Sequence, residues 1–169
     1  MQLPFGDGTI DVSLPDCDVT VLERPGGEAV DAREAARAAM ADPHGPPLES
    51  VVDAGDEVAV VVTDVTRATP DDVLLDVFFE HLPVDREQVS VVLGLGLHRP
   101  MTDDEIETAL GDHADLAENH DPDAAVEVGD DAGTPVMLNR TVADADVVLS
   151  TAWLRMARTR WPNDDAAIV

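Results

Sequence analysis

Two short stretches concentrate the residues with chemical reach. Asp64-Val-Thr66-Arg67 closes the apolar run Val58 to Thr63, and Gly94-Leu-Gly96-Leu-His98-Arg99-Pro100 closes the run Val89 to Leu93. A guanidinium can grip a carboxylate through two parallel hydrogen bonds and stays charged at any relevant pH. An imidazole can take and return a proton near neutrality. The glycines before His98 let a backbone approach a ligand closely, but Gly-x-Gly without a third glycine is a weak dinucleotide fingerprint. Against this stand plainer readings: Arg67 as a surface residue paired with one of many acids, and His98 as a solvated turn histidine. His44, His81, His113 and His120 show no metal-ligand spacing and read as surface residues. The sequence has no Cys-x-x-Cys, no Walker loop and no nucleophile elbow.

The elements around these stretches decide between the two readings. β-Branched runs of five or six residues that alternate with helical segments read as buried strands of a parallel sheet. Ligands gather outside the carboxyl ends of such strands, where Asp64, Thr66, Arg67, His98 and Arg99 all fall. One acid, one carboxylate-binding cation and one imidazole are therefore expected in a single crevice. Upstream, Thr9 to Leu14 alternates with period two, and Val19 to Leu22 is its expected partner. Asp31 caps an Ala-rich helix over 32–41. Thr69-Pro70-Asp71-Asp72 opens a helix with a hydroxyl cap, an early Pro and acids at the positive dipole end. Its apolar positions Val73, Leu74, Val77, Phe78 and Leu82 mark the inward face. Thr102 to Glu105 is a capping box, and that helix turns Ile106, Ala109 and Leu110 inward before Gly111. Residues 112–123 read as helix then loop, 125–128 and 135–138 as a strand pair, 140–145 as a short helix, and 147–149 as a third buried strand. The expected fold is α/β and doubly wound, with a mainly parallel sheet flanked by helices and a small N-terminal β pair.

Charge narrows the partners. Thirty-six acids face ten bases, every base is Arg, and the net charge is −26. So negative a surface argues against nucleic acid and anionic membrane as partners. An acid coat without Lys on a chain of ordinary apolar content (44%) points to adaptation to molar salt, where the Debye length shrinks to about 3 Å. One Cys leaves no internal disulfide, and no signal peptide or membrane span is read, so a cytoplasmic setting is expected.

Three separated motifs in order carry a resemblance. Asp64-x-Thr66-Arg67-x-x-Pro70, then Gly96-x-His98-Arg99-Pro100-Met101-Thr102, then Leu138-Asn139-Arg140-x-Val142-Ala-Asp-Ala-Asp146 are similar to the N-terminal domain of the nickel-dependent lactate racemase family. Leu3-Pro4-Phe5-Gly6-x-Gly8 and Pro46-Pro47-Leu48 resemble it too, and the likeness covers about residues 1–150. The resemblance implies a second α/β domain, an active site in the cleft between domains, and a nickel pincer nucleotide held covalently by a Lys. It implies that the cofactor takes a hydride from the carbon of a small 2-hydroxy acid such as lactate, while one of two His residues takes the hydroxyl proton. By resemblance His98 is one of these and Arg67 anchors the substrate carboxylate. Asp64 and Thr66 support the cofactor or Arg67. Arg99 binds substrate, contacts a phosphate, or serves the structure of its own loop.

The departures are equally plain. Where the family carries its second catalytic His, its cofactor Lys and its nickel-ligand His, this chain reads Thr151-Ala-Trp-Leu-Arg-Met-Ala-Arg. Residues 151–169 carry +1 against −27 for the rest. That tail is either a basic segment that binds the acidic body or, as preferred here, out-of-frame or truncated text. The expectation is an α/β domain over 1–150 that binds no cofactor covalently and is inactive alone, with a separate C-terminal half as a conceivable partner. The rivals are an epimerase of another 2-hydroxy acid or of a sugar, and a non-catalytic module for a small carboxylate or nucleotide.

Overall fold

The computed structural model describes residues 1–20 and 29–152. Its centre is a four-stranded parallel sheet in the order β5-β4-β3-β8, formed by Ala117–Asn119, Val89–Gly94, Val58–Thr63 and Val147–Ser150. β3 and β4 run in register from Val58 beside Val89 to Thr63 beside Gly94. Val58, Val60 and Val62 share one face with Val89, Val91 and Leu93 and pack against Leu75, Ile106 and Leu110. Leu75 and Leu110 come from α2 (Asp71–His81) and α3 (Asp103–Leu110). Ala59 and Ser90 alternate onto the other face, where α4 (Arg140–Asp144) lies. The sheet grows from β3 through β4 to β5, and the chain then returns to place β8 on the opposite side of β3. The direction of winding therefore reverses between β3 and β8, the position at which open α/β sheets form ligand crevices.

Local sequence explains most of the boundaries. Asp31 caps α1 (Ala32–Ala41) by accepting from the amide of Glu34. Thr102 and Glu105 close the capping box of α3, and Gly111 ends it at φ +54°. Two antiparallel hairpins stand beside the sheet, β1 (Gln2–Phe5) with β2 (Gly8–Asp11), and β6 (Val126–Asp131) with β7 (Thr134–Leu138). Among the described residues no helix is long and apolar enough to cross a membrane.

Several expectations need correction. β2 pairs with the preceding β1 across Gly6 at φ +56°, not with a later strand. Val19 and Thr20 lie outside any strand, and Leu22 and the tail 153–169 lie outside the described residues. Alternation alone does not name a partner, and the shorter closure won. The hydroxyl of Thr69 does not cap α2; Pro70 holds the cap position, and Thr69 Oγ1 lies 2.9 Å from that of Thr63. The most buried residue of α2 is Leu75, outside the expected face, because the helix lies against both the sheet and α1. Residues 117–119, expected as helix or loop, add the edge strand β5. β8 is half-covered rather than buried, with Val148 exposed.

His113 is not a surface residue. It is 6% exposed, its ring stacked on Phe79 with centroids 5.0 Å apart. Its Nε2 lies 2.8 Å from Asp76 Oδ1 and its Nδ1 3.2 Å from Arg86 Nη1. His120 and His81 are half-buried, the latter 2.7 Å from Glu49, while His44 is exposed as expected.

Candidate active site

The two central strands end in matching turns. Arg67 N donates to Asp64 O (3.0 Å) after β3, and His98 N donates to Leu95 O (2.9 Å) after β4. The in-register pairing of Thr63 with Gly94 sets these turns side by side. A Cβ on Gly94 would sit 3.2 Å from the Val62 carbonyl, tighter than ordinary contact, so a side chain there would press on the neighbouring strand. Gly96 turns the chain at φ +57°, a conformation that side chains other than glycine rarely adopt. Beyond His98, the side-chain amide of Asn119 clamps the backbone of Met101, accepting from N (2.8 Å) and donating to O (2.9 Å). The loop bearing His98 is thus tied to β5.

A hydrogen-bonded chain crosses the gap between the turns. His98 Nδ1 bonds Oδ2 of Asp64. Asp64 Oδ1 accepts from the hydroxyl (2.6 Å) and the amide (3.0 Å) of Thr66. Arg67 Nη1 reaches the Thr66 hydroxyl at 3.4 Å. Asp64 is 6% exposed and the His98 side chain 47%, so a sheltered carboxylate anchors an accessible ring. Burial pushes the Asp64 pKa up, but the bonds from Thr66 and His98 outweigh it and hold the group below the ordinary range. An ionised Asp64 only accepts, so Nδ1 of His98 is the donor in this bond, and in a neutral ring Nε2 is then the acceptor. Asp64, Val65, Thr66, His98 and Arg99 line a cleft of about 230 Å³, room for a small organic acid.

The two arginines are placed differently. Arg99 is locked to Glu105 by two bonds of 2.8 and 2.7 Å and donates to the carbonyl of Pro100 at 2.8 Å. Its fork is engaged with Glu105 of the α3 capping box, and the residue also lines the cleft. The Arg99 and Thr102 bonds pull the Glu105 pKa down to about 2. Arg33, Arg37, Arg86 and Arg99 each face a carboxylate, whereas Arg67 makes no ion pair among the described residues. Arg67 is exposed beside the cleft rather than part of its lining, where Arg99 is the cation, and no carboxylate of the described residues occupies its fork.

A second polar cluster lies beside the first. Asp71, at the start of α2, is 3% exposed and bonds the hydroxyls of Thr151 (2.5 Å) and Thr63 (3.1 Å). In the sequence it was indistinguishable from an ordinary dipole acid. Its partners 8 and 80 positions away are set by the sheet.

Comparison with known proteins fits this architecture. The chain superposes on the structure of the lactate racemase apoprotein from Thermoanaerobacterium thermosaccharolyticum with a TM-score of 0.68 and 20% sequence identity. The match takes in 88% of this chain and 37% of that one, so this sequence spans little more than a third of its structural relative. No curated protein matches it. The model of the lactate racemase N-terminal domain matches residues 5–156, and the chain belongs to that family.

Proposed function

We propose that this chain is the substrate-side domain of a lactate racemase-like enzyme and that it holds a small 2-hydroxy acid between Arg67 and His98. The observation that carries the reading is the bonded chain from His98 through Asp64 and Thr66 to Arg67, spanning two adjacent strand ends beside a small cleft. In this arrangement Arg67 takes the substrate carboxylate, a charge-assisted contact worth about 1.5–3 kcal/mol. His98 Nε2 accepts from the 2-hydroxyl and is placed to take its proton. Asp64 fixes the tautomer and steadies the imidazolium that results, and Thr66 holds Asp64 in place. Arg99, its fork held by Glu105, positions the His98 turn.

The nickel pincer nucleotide of the family does not fit this chain in its covalent form. That link is made through a Lys, and none of the 169 residues is Lys. Among the described residues no three His, Cys, Asp or Glu side chains gather to hold a metal. The reading therefore assigns binding and proton transfer to this chain and leaves hydride chemistry to a separate C-terminal half. The second reading is a module that binds a small carboxylate without turning it over.

Calorimetry in molar KCl with L-lactate, D-lactate, pyruvate and a pyridinium mononucleotide, paired with a racemisation assay, tests both readings. Lactate binding that Arg67→Ala abolishes supports the proposal. Equal heats for the wild type and Arg67→Ala would overturn it. Turnover by the chain alone would refute the assignment of hydride chemistry elsewhere.

A further inference from the structure

Asp71 takes no part in gripping or deprotonating a substrate, yet it is the acid on which three elements meet. Thr63 is the last residue of β3, Asp71 the first of α2, and Thr151 the first beyond β8. Both carboxylate oxygens are used, Oδ1 by the Thr151 hydroxyl at 2.5 Å and Oδ2 by that of Thr63 at 3.1 Å. Thr69 adds its hydroxyl 2.9 Å from Thr63. The backbone of Thr151 is held as well, its amide donating to Val61 O at 3.0 Å.

This cluster closes a loop. Residues 64–70 lie between Thr63 and Asp71, so the Thr63–Asp71 bond clasps the base of the segment that carries Asp64, Thr66 and Arg67. The Thr151 bond then fastens that base to the strand on the far side of the point where winding reverses. A carboxylate taken from water is costly unless its acceptors are filled. Burial raises the Asp71 pKa, and the hydroxyls of Thr151 and Thr63 offset this only in part.

We propose that Asp71 and Thr151 form a latch that registers the chain leaving β8 against the Arg67 loop, making Asp71 a positioning residue for the carboxylate grip. The latch rests on the reading of Arg67 as that grip.

Amide hydrogen exchange on the full chain in molar KCl tests the latch, with lactate titration of the same samples. Thr151→Val keeps the shape and removes the donor; Asp71→Asn keeps the shape and sets a donor against one hydroxyl. Both are expected to speed exchange at the Thr66 and Arg67 amides about tenfold or more while the His98 amide keeps its rate. Thr151→Ser, which restores the hydroxyl, returns the slow rates. Val52→Ala, a remote core truncation, lowers Tm without this local signature. Unchanged rates at Thr66 and Arg67, or a uniform rise throughout the core, would overturn the latch. If wild type fails to bind lactate, the functional reading falls, and the exchange pattern still judges the latch.

Discussion

His98 and Asp64 are bonded side chain to side chain across thirty-four residues, because parallel strands β3 and β4 end level with each other. The bond makes the imidazole directional. Nδ1 is bonded to a sheltered carboxylate on a ring that lines the cleft, so in the neutral ring Nε2 is the nitrogen left to accept a proton.

That polarity can be read directly. With the ring neutral, ¹⁵N NMR is expected to find the His98 proton on Nδ1, with Nε2 showing the shift of an unprotonated nitrogen. Asp64→Asn turns an acceptor into a partner that can donate, and the preference should vanish or invert. A wild-type ring protonated on Nε2 would contradict the structure.

Substitution at Arg67 should separate charge from shape. Arg67→Lys keeps the charge and loses the fork, and is expected to weaken lactate binding about tenfold; Arg67→Ala should weaken it about a hundredfold. Arg140→Ala, an exposed cation at the start of α4, away from the strand-end turns, serves as the control and should bind as wild type. Equal losses at positions 67 and 140 would mean that the acid merely senses positive charge.

The Arg99–Glu105 pair predicts a particular acid response. Glu105 titrates at about 2 in the fold, against an ordinary value of 4.5. A lowered carboxylate pKa contributes stability above the unfolded value and loses it as pH falls toward the folded one. The stability gap between wild type and Glu105→Gln should therefore be full above pH 4.5 and close as pH drops toward 2, measured by urea denaturation at fixed salt. A gap that persists at pH 2 would show that the side chain acts through packing alone.

A net charge of −26 should make folding depend on salt. We expect Tm to rise from dilute buffer to molar KCl as screening shortens repulsion to about 3 Å. A Tm that is flat across that range would remove the case for adaptation to high salt.

Much of this protein was written in its residue order. Asp31 before an Ala-rich run, Thr102 with Glu105, and Gly111 set helix ends through contacts three or four positions apart, and such contacts are visible without a fold. The runs Val58 to Thr63 and Val89 to Gly94 are apolar on both faces, so a covered parallel sheet and a crevice at its carboxyl ends were legible too. The three separated motifs, Asp64 to Pro70, Gly96 to Thr102 and Leu138 to Asp146, pointed to the family.

Other features required the chain to fold. Sequence could not say that Asp64 serves His98, that Arg99 turns to Glu105, or that Asp71 meets Thr151 eighty positions away, because each depends on strand order and register. Nor could it say that His113 is enclosed by Asp76, Phe79 and Arg86, since burial belongs to the packing of several elements at once. Short-range chemistry chose the elements and supplied the reactive groups. The tertiary structure alone decided which of those groups face one another, because hydrogen bonds between distant side chains exist only after the sheet has set their distance.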